Sequence, residues 1–275
     1  MMDQQNESSS QDKVSSFKQI LRKTNFERKI MKHLFEKFDH LYSQRHFCDV
    51  TVAIGDETFE CHRFMLAAAS DFFEASLTSS FYESCSRVVR ISHSDVTAES
   101  FRMLLDLLYK GKDVVTKETG SDLLKMAVFL QIRFLQDDVE EYLIDNLSPD
   151  FCLGIWQLAD RYDLRKLAQK AIDMAVAEFE KVSKSEEFLH LPKSLLLIIL
   201  SSETDMSMDD LFRAVIRWVD EDESRKNHLP ELLPFIDFLH LTPGFLGKEA
   251  LAYRKHPLKD VLFGKFPSAE ADLMF

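Results

Sequence analysis

Residues 48–83 read CDVTVAIGDETFECHRFMLAAASDFFEASLTSSFYE, and this stretch decides the fold. Apolar residues alternate with smaller or polar ones from Val50 to Ile54, which predicts a strand with one buried face. Residues 55–61 supply a Gly-Asp-Glu turn and a returning strand. A helix rich in small residues follows the Cys-His-Arg sequence at 61–63, and a second short helix follows over 71–77. Two strands and two helices this close together predict a small α+β unit.

Toward the N-terminus, the sequence predicts an amphipathic helix preceded by a polar segment. Residues 1–25 are polar and charged, and we expect them to be disordered. From Phe26 onward, apolar residues recur at three- and four-residue spacing, which is the pattern of a helix with one apolar stripe. The stripe is broad, so pairing with a second copy and ordinary packing within one chain are both open. It contains Ile30, Met31, Leu34, Phe35, Phe38, Leu41 and Tyr42.

Toward the C-terminus, the mixed unit continues and then gives way to helices alone. The predicted elements are a strand over 88–91, a helix over 97–109, a short strand at Val114-Val115, and helices over 119–130 and 133–146. Thr97 is in position to cap the first of these helices. No strand pattern follows Lys117, so we expect the mixed unit to end near residue 147.

After residue 147 the pattern is helical throughout. Ser148 followed by Pro149 is a helix start signal, with Ser as the cap and Pro at the first helical position. Consecutive helices joined by short loops predict antiparallel helix pairs. The expected helices carry residues 148–158, 164–179, 195–200, 209–219 and 229–239.

The composition limits the classes of function. The chain has 275 residues, a formal net charge of −12, and only seven glycines and seven prolines. The negative charge argues against general binding to nucleic acid, which needs clusters of Lys and Arg. The scarcity of glycine argues against a β-propeller, whose blades need repeated turns. With no apolar run as long as a membrane span and no signal peptide, we expect an intracellular protein with reduced thiols.

The opening stretch resembles the start of a BTB (POZ) domain, whose usual pattern runs cDV.l.v....f.aHr.vLaa.S.yF...f. The matching residues are Cys48-Asp49-Val50, Phe59-Glu60-Cys61-His62-Arg63, Leu66-Ala67-Ala68-Ala69-Ser70 and Phe72-Phe73. Cys61 stands where the family usually has Ala, and Lys110 stands where it usually has Thr in a Tyr-Thr-Gly sequence. Neither departure removes a core position.

The second half resembles the BACK domain that follows BTB in kelch-like proteins. The matching segments are Cys152-Leu153, Ala159 to Leu164, Glu187 to Pro192 and Val215 to Val219. The segment 187–192 is close to the family's eFl.Lp...L..lL pattern and is quite specific. Together the resemblances imply an α+β BTB/POZ domain over 26–147 and an all-α BACK helical-hairpin domain over 148–247. The remainder is a disordered segment over 1–25 and a C-terminal tail over 248–275.

Two charged residues fall in the otherwise apolar core of the expected BTB domain. Asp49 and Arg63 must be satisfied there, because breaking a buried charged pair is costly. The resemblance implies that the two residues lie close together near a dimer interface, and local capping or pairing is the alternative. The full expected dimer interface is Ile30, Met31, Leu34, Phe35, Asp49 and Arg63.

A second interface is implied for cullin-3. In BTB–BACK proteins an apolar residue followed two positions later by Glu contacts cullin-3, and Phe81-Tyr82-Glu83 stands at this offset. Such a contact needs an exposed apolar side chain and a nearby carboxylate. The alternative is a core Phe81 and a solvated Glu83. Tyr109 is a further candidate for the same surface, with a purely packing role as its alternative.

The sequence offers no catalytic, metal or cofactor site. Cys61-His62 has no second Cys or His at ligand spacing, and the strand and helix around it explain Cys61 as a core residue. The seven glycines are too isolated to form a phosphate-binding loop. We therefore expect a protein that is not an enzyme and that needs no metal or cofactor.

The resemblance implies a homodimeric adaptor that joins cullin-3 to a protein substrate in a RING ubiquitin ligase. The alternative is a BTB scaffold, a transcriptional co-regulator or a modulator of other BTB proteins that does not bind cullin. We expect a cytoplasmic protein, with the nucleus as a second location, and no nucleic-acid or membrane partner. Residues 250–275 hold no kelch repeat, so a short natural form, a fragment and a substrate site on BACK all stay open.

Overall fold

The computed structural model describes residues 26–78, 87–202, 206–242 and 245. The chain divides into two compact units, Met1–Tyr142 and Leu143–Phe275. The first unit combines a small sheet with helices, and the described part of the second unit contains helices and turns. Among the described residues, no helix has the length and apolar character that a membrane span requires.

The described sheet of the first unit has three strands in the order β2-β1-β3. Strand β1 (Val50–Ile54) pairs antiparallel with β2 (Glu57–Cys61) and parallel with β3 (Val88–Ile91). The predicted alternation along β1 is only partly correct, because Ala53 is buried as well as its apolar neighbours. As the central strand, β1 is covered by β2 and β3 along both edges.

Six helices of the first unit lie within the described residues. They are α1 (residues 26–43), α2 (Arg63–Ala69), α3 (Asp71–Thr78), α4 (Ala98–Lys110), α5 (Gly120–Phe129) and α6 (Arg133–Asp145). Helices α2 to α5 contribute fully buried side chains to the core, among them Leu66, Phe73 and Phe101. Large apolar side chains such as these account for much of the apolar area that a small unit removes from water.

Helix α4 begins at the cap that its sequence predicts. The Thr97 hydroxyl accepts the N–H of Ser100 at 3.0 Å, and the Ser100 hydroxyl accepts the N–H of Thr97 at 3.0 Å. This reciprocal capping box confirms the predicted role of Thr97. The helix ends at Gly111, which has a left-handed φ of 60° and donates its N–H to Leu107.

The short strand predicted at Val114-Val115 is not present. The carboxylate of Asp113 accepts the N–H of Val115 at 3.1 Å, and the Thr119 hydroxyl donates to the carbonyl of Val114 at 2.7 Å. Local side chains thus satisfy the backbone groups that a strand partner would otherwise use. Valine favours strands, but here the neighbouring Asp and Thr residues override that preference.

The described part of the second unit contains seven α-helices, consistent with the predicted all-α arrangement. They are α7 (Cys152–Arg161), α8 (Arg165–Ala177), α9 (Phe179–Val182), α10 (Glu186–Leu189), α11 (Lys193–Ser201), α12 (Met208–Asp220) and α13 (Leu229–Leu232), with 3-10 turns at Glu223–His228, Leu233–Phe235 and Phe238–His240. Trp218 is buried and donates its indole N–H to the carbonyl of Leu191 at 2.9 Å. The Arg225 guanidinium lies 4.3 Å from the centroid of the same ring.

Two predicted helix boundaries in the second unit are wrong. Helix α7 begins at Cys152 rather than Pro149, because residues 149–151 form a turn in which the backbone of Phe151, with a φ of −137°, is not helical. The helix predicted over 229–239 ends at Leu232 and is followed by a 3-10 turn. Pro234 lies in this stretch, and its missing N–H and its ring interrupt a continuous helix.

Candidate protein–protein interface

Helix α1 carries apolar residues around about half of its circumference, at roughly 100° per residue. The part of this arc nearest the N-terminus is exposed: Phe26 is 64% exposed, Ile30 42%, Met31 48% and Leu34 37%. We call these four residues the α1 apolar face. A monomeric protein rarely leaves a contiguous apolar patch in water, so this face is a candidate for contact with a protein partner.

The other part of the arc packs inside the first unit. The Tyr42 ring stacks on the Tyr109 ring, with 4.2 Å between centroids and 9° between planes. The Phe35 ring lies against Gly111, so close that a Cβ atom placed on this glycine would be 3.0 Å from the ring. Phe35, which the sequence assigns to the dimer interface, is therefore a half-buried packing residue in this structure.

Tyr109 is a core residue and not part of an accessible surface. Its side chain is 1% exposed. The backbone N–H of His62 donates to its hydroxyl oxygen at 3.1 Å, and the same hydroxyl lies 2.8 Å from Nδ1 of His62. The structure favours the packing alternative for Tyr109, because neither its ring nor its hydroxyl is open to a partner.

The ring of His62 extends this hydrogen-bond network to the end of α1. Its Nε2 lies 2.8 Å from the carbonyl oxygen of His46. A carbonyl oxygen can only accept, so Nε2 carries the hydrogen in the neutral ring and Nδ1 accepts from the Tyr109 hydroxyl. This chain of bonds fixes the turn after α1 against the start of α2.

Buried phenol and thiol groups in this region are neutral at physiological pH. Burial raises the pKa of Tyr42 to about 12 and the pKa of Cys61 to about 12. Burial also raises the pKa of the Tyr109 phenol above its usual range. A protonated thiol is a poor nucleophile, and Cys61 is fully buried, as its predicted core position requires. In the described ranges, no three His, Cys, Asp or Glu side chains are grouped to hold a metal ion.

Asp49 and Arg63 lie together, but not as two charges in an apolar core. Asp49 is exposed, and its carboxylate accepts the backbone N–H of Arg63 at 2.7 Å at the start of α2. The Arg63 guanidinium donates to the carbonyl of Leu77 near the end of α3 at 2.6 Å. The predicted core burial of Asp49 is therefore wrong, and the local cap that was its alternative is what the structure contains. A role for either residue in dimer formation stays a prediction.

Two exposed aromatic residues near this cap are absent from the predicted sites. Phe47 is 81% exposed and has a φ of 63°, and Phe64 is 77% exposed in the first turn of α2. We call them the Phe47–Phe64 patch. Their exposure depends on the turn after α1 and on the orientation of α2, neither of which the pattern of apolar residues reveals. The one available signal is an aromatic residue in a stretch that otherwise has turn character.

The predicted cullin-binding segment, Phe81-Tyr82-Glu83, lies outside the described residues. Helix α3 ends at Thr78, and the description resumes at Arg87. The assignment of these three residues therefore stays a prediction.

Comparison with known families assigns both halves of the chain. The model of the BTB/POZ domain matches residues 38–147, and the model of the BACK domain (BTB And C-terminal Kelch) matches residues 152–250. The chain belongs to the BTB–BACK proteins of the kelch-like group. Proteins of this family are generally non-enzymatic adaptors.

Several curated proteins resemble the chain over both domains. Kelch-like protein 25 of Xenopus laevis is 35% identical over 212 residues, which is 76% of this chain and 36% of that protein. Human Kelch-like protein 25 is 36% identical over 219 residues, which is 78% of this chain and 37% of that protein. Kelch repeat and BTB domain-containing protein 8 of Xenopus tropicalis is 33% identical over 203 residues, which is 72% of this chain and 33% of that protein. The chain thus spans about a third of the length of these relatives.

A solved structure is also similar to the first domain in sequence. The BTB domain of zebrafish PATZ1 is 31% identical and covers 42% of this chain and 95% of its own, with a TM-score of 0.36. The assignment of the two domains rests on the family models.

Proposed function

We propose that the protein is a non-catalytic, homodimeric adaptor of a cullin-3 RING ubiquitin ligase. Its BTB domain and the first BACK helices, α7 and α8, bind cullin-3, and the dimer links the ligase to a protein substrate. The observation that carries this proposal is a BTB domain followed directly by a BACK domain in one chain. The adaptor transfers no group itself, and it acts in the cytoplasm with the nucleus as a second compartment.

The α1 apolar face supports the dimer. Ile30, Met31 and Leu34 are all more than a third exposed, although they continue the stripe whose other members pack against α4. A second copy that covers this face removes its apolar area from water, which is the main favourable term in protein association. In a two-fold dimer the same face is used twice.

The cullin contact is proposed for Phe81, Tyr82 and Glu83. An exposed aromatic side chain fills a pocket on a partner helix, and a carboxylate two residues further along accepts hydrogen bonds at the edge of that pocket. The position of the segment, shortly after α3 in a BTB domain that BACK follows, supports this role. Tyr109 is not included, because its side chain is buried.

The experiment that tests the proposal is calorimetric titration of the chain with the N-terminal domain of cullin-3. Light scattering determines the mass of the chain in the same buffer. We expect a dimer that binds with submicromolar affinity. A well-folded dimer that does not bind would contradict the adaptor role and favour a scaffold or a modulator of other BTB proteins.

Variants of the proposed contact make the test specific. We expect Phe81→Ala and Glu83→Lys each to weaken cullin-3 binding by about thirtyfold to a thousandfold, because each removes a central anchor worth about 2–4 kcal/mol. The mass of the dimer should not change. Glu99→Lys, an equal charge reversal at an exposed position of α4, should leave the affinity within about twofold. Full affinity in both contact variants would remove this segment from the interface.

A further inference from the structure

The second unit has a polar cleft between the end of α9 and helix α12. Its volume is about 350 Å³. We call it the α9–α12 cleft. None of its lining residues belongs to the proposed dimer face or to the proposed cullin contact. Its charged and small lining side chains are Glu180, Lys184, Asp210, Arg213, Ala214 and Arg217.

Two of the three cations that line the cleft are balanced by carboxylates beside them. The Nζ atom of Lys184 lies 2.7 Å from Oε1 of Glu180. Nη1 of Arg213 lies 2.8 Å from Oδ1 of Asp210. The other oxygen of Asp210 accepts the Ser207 hydroxyl at 2.6 Å. Both carboxylates are therefore engaged locally, and each offsets one cation.

Arg217 is the third cation, and no Asp or Glu of the described ranges forms an ion pair with it. Its guanidinium donates to the carbonyl of Ser183 at 2.7 Å, which fixes the group against the end of α9. The side chain is half-buried. A guanidinium has five N–H donors, so one carbonyl leaves most of them available. An opposite charge would offset the cost of moving this cation partly out of water.

The shape and charge of the cleft select one carboxylate as its ligand. A planar guanidinium matches a carboxylate, which can accept two parallel hydrogen bonds from it. The lining residues carry three cations and two carboxylates, a sum of +1, although the whole chain carries −12. A phosphate dianion or a run of acidic residues would bring excess negative charge beside Glu180 and Asp210. A single carboxylate makes the cleft neutral.

We propose that the α9–α12 cleft binds a short peptide segment of a protein partner, in which one Asp or Glu lies between uncharged residues. Arg217 receives the carboxylate, and Lys184 contributes its charge at the edge of the cleft. This inference deepens the adaptor role proposed above and rests on it in one respect, namely that the partner is the substrate to be linked to the ligase. The BACK domain then holds a recognition site for that substrate.

The test uses the capped peptide acetyl-Gly-Leu-Glu-Leu-Gly-amide and the full chain with ¹³C-labelled alanine methyl groups. The methyl signal of Ala214, which lines the cleft, reports binding in the NMR spectrum and is assigned with Ala214→Gly. We expect this signal to shift with a dissociation constant of about 1 mM or below. The peptide with Gln in place of Glu should cause no such shift. No shift with the Glu peptide, or equal shifts with both peptides, would overturn the proposal.

Lys184→Glu and Lys181→Glu are a matched pair of variants. The two lysines are 69% and 70% exposed, and each pairs with a nearby glutamate, but Lys181 is not part of the cleft lining. We expect Lys184→Glu to weaken binding of the Glu peptide at least about fivefold, because it places a carboxylate beside the ligand. Lys181→Glu should stay within about twofold. Equal weakening by both variants would indicate a general effect of surface charge and would overturn the site.

Arg217→Lys tests the receiving group. Lysine keeps the charge but lacks the planar fork, so we expect at least about tenfold weaker binding. The other alanine methyl signals should stay in place, which shows that the fold is retained. Unchanged affinity would overturn the role of Arg217, and Lys184→Glu keeps the test valid if Arg217→Lys does not fold.

Titration of the same protein with the N-terminal domain of cullin-3 separates this proposal from the adaptor role. Cullin binding without peptide binding would overturn the cleft site and leave the adaptor role intact. Peptide binding without cullin binding would support the site and overturn its link to a ligase.

Discussion

The hydroxyl of Tyr109 is the point at which three segments of the first unit meet. It bonds the start of α2 through His62, and the His62 ring bonds the turn after α1 through His46. Its own ring, at the end of α4, stacks on Tyr42 of α1. One buried side chain therefore helps to hold α1, which carries the proposed dimer face, against the rest of the unit.

We expect Tyr109→Phe to lower the free energy of unfolding by about 1–3 kcal/mol, because it leaves two groups of His62 without their partner. Urea unfolding followed by circular dichroism measures the change. Tyr42→Phe is the control, since it keeps the stacked ring and removes a hydroxyl that is only half buried. A larger loss from the control than from Tyr109→Phe would contradict the proposed role of the network.

At the residue scale, the sequence contains more information about Tyr109 than about Asp49. Phe101, Leu105 and Tyr109 are spaced four residues apart, so they share one face of α4, and the burial of the first two indicates the burial of the third. The partner of Asp49 is a backbone N–H fourteen residues away. That contact depends on how β1 and α2 are placed together, and no local pattern records it.

At the scale of elements, the end of α4 and the middle of α1 depend on each other through Gly111. Its φ of 60° allows the helix to end there, and the missing side chain leaves room for the Phe35 ring. Gly55, in the turn between β1 and β2, has a φ of 56° but no atom within 4 Å of the position of a Cβ. The two glycines share a backbone conformation and differ in their surroundings.

This difference predicts two distinct costs for alanine. Gly55→Ala should destabilise the protein by about 1–2 kcal/mol, which is the strain of a left-handed alanine. Gly111→Ala should cost about 1–3 kcal/mol more, because the added methyl group displaces Phe35. The free energies of unfolding of the two variants provide the comparison. Equal costs would mean that Phe35 moves away from Gly111 freely.

Element type was easier to predict than element ends. The alternating pattern together with the Gly-Asp-Glu turn identifies β1 and β2, and the 3.6-residue spacing identifies the long helices, because each of these signals combines several residues. The ends depend on single hydrogen bonds and single prolines. Thr97 shows a cap that is recognisable from sequence, whereas Ser148 and Pro149 precede a turn in spite of the same kind of signal.

At the scale of the whole molecule, stability should fall in alkaline solution. The pKa of Cys61 is raised from 9.0 to about 12, so the folded state favours the protonated thiol. The resulting stabilisation is fully present below pH 9 and is lost as the pH rises toward 12, at about 1.4 kcal/mol per pH unit for one group. Tyr42, with its pKa raised from 10.0 to about 12, contributes in the same direction.

The slope of urea midpoints between about pH 8.5 and pH 10.5 measures this effect. The urea midpoint of Cys61→Ala should decline less steeply over this range. Its stability at neutral pH is also lower, because the variant leaves a small cavity. Comparing how steeply the urea midpoints of the two proteins fall with pH, rather than their midpoints at one pH, separates the titration of Cys61 from the cost of the cavity. Identical slopes would show that Cys61 titrates in the folded protein as it does in the unfolded chain.

The two tryptophans of the chain, Trp156 and Trp218, are both buried in the second unit. The protein therefore has a natural fluorophore in its BACK domain and no tryptophan in its BTB domain. Selective excitation of indole reports on the surroundings of both rings, including Trp218, where the Arg225 guanidinium and the Leu191 carbonyl are in contact with the ring. Circular dichroism reports on both domains, so the two signals together reveal whether the halves of the molecule melt as one or in sequence.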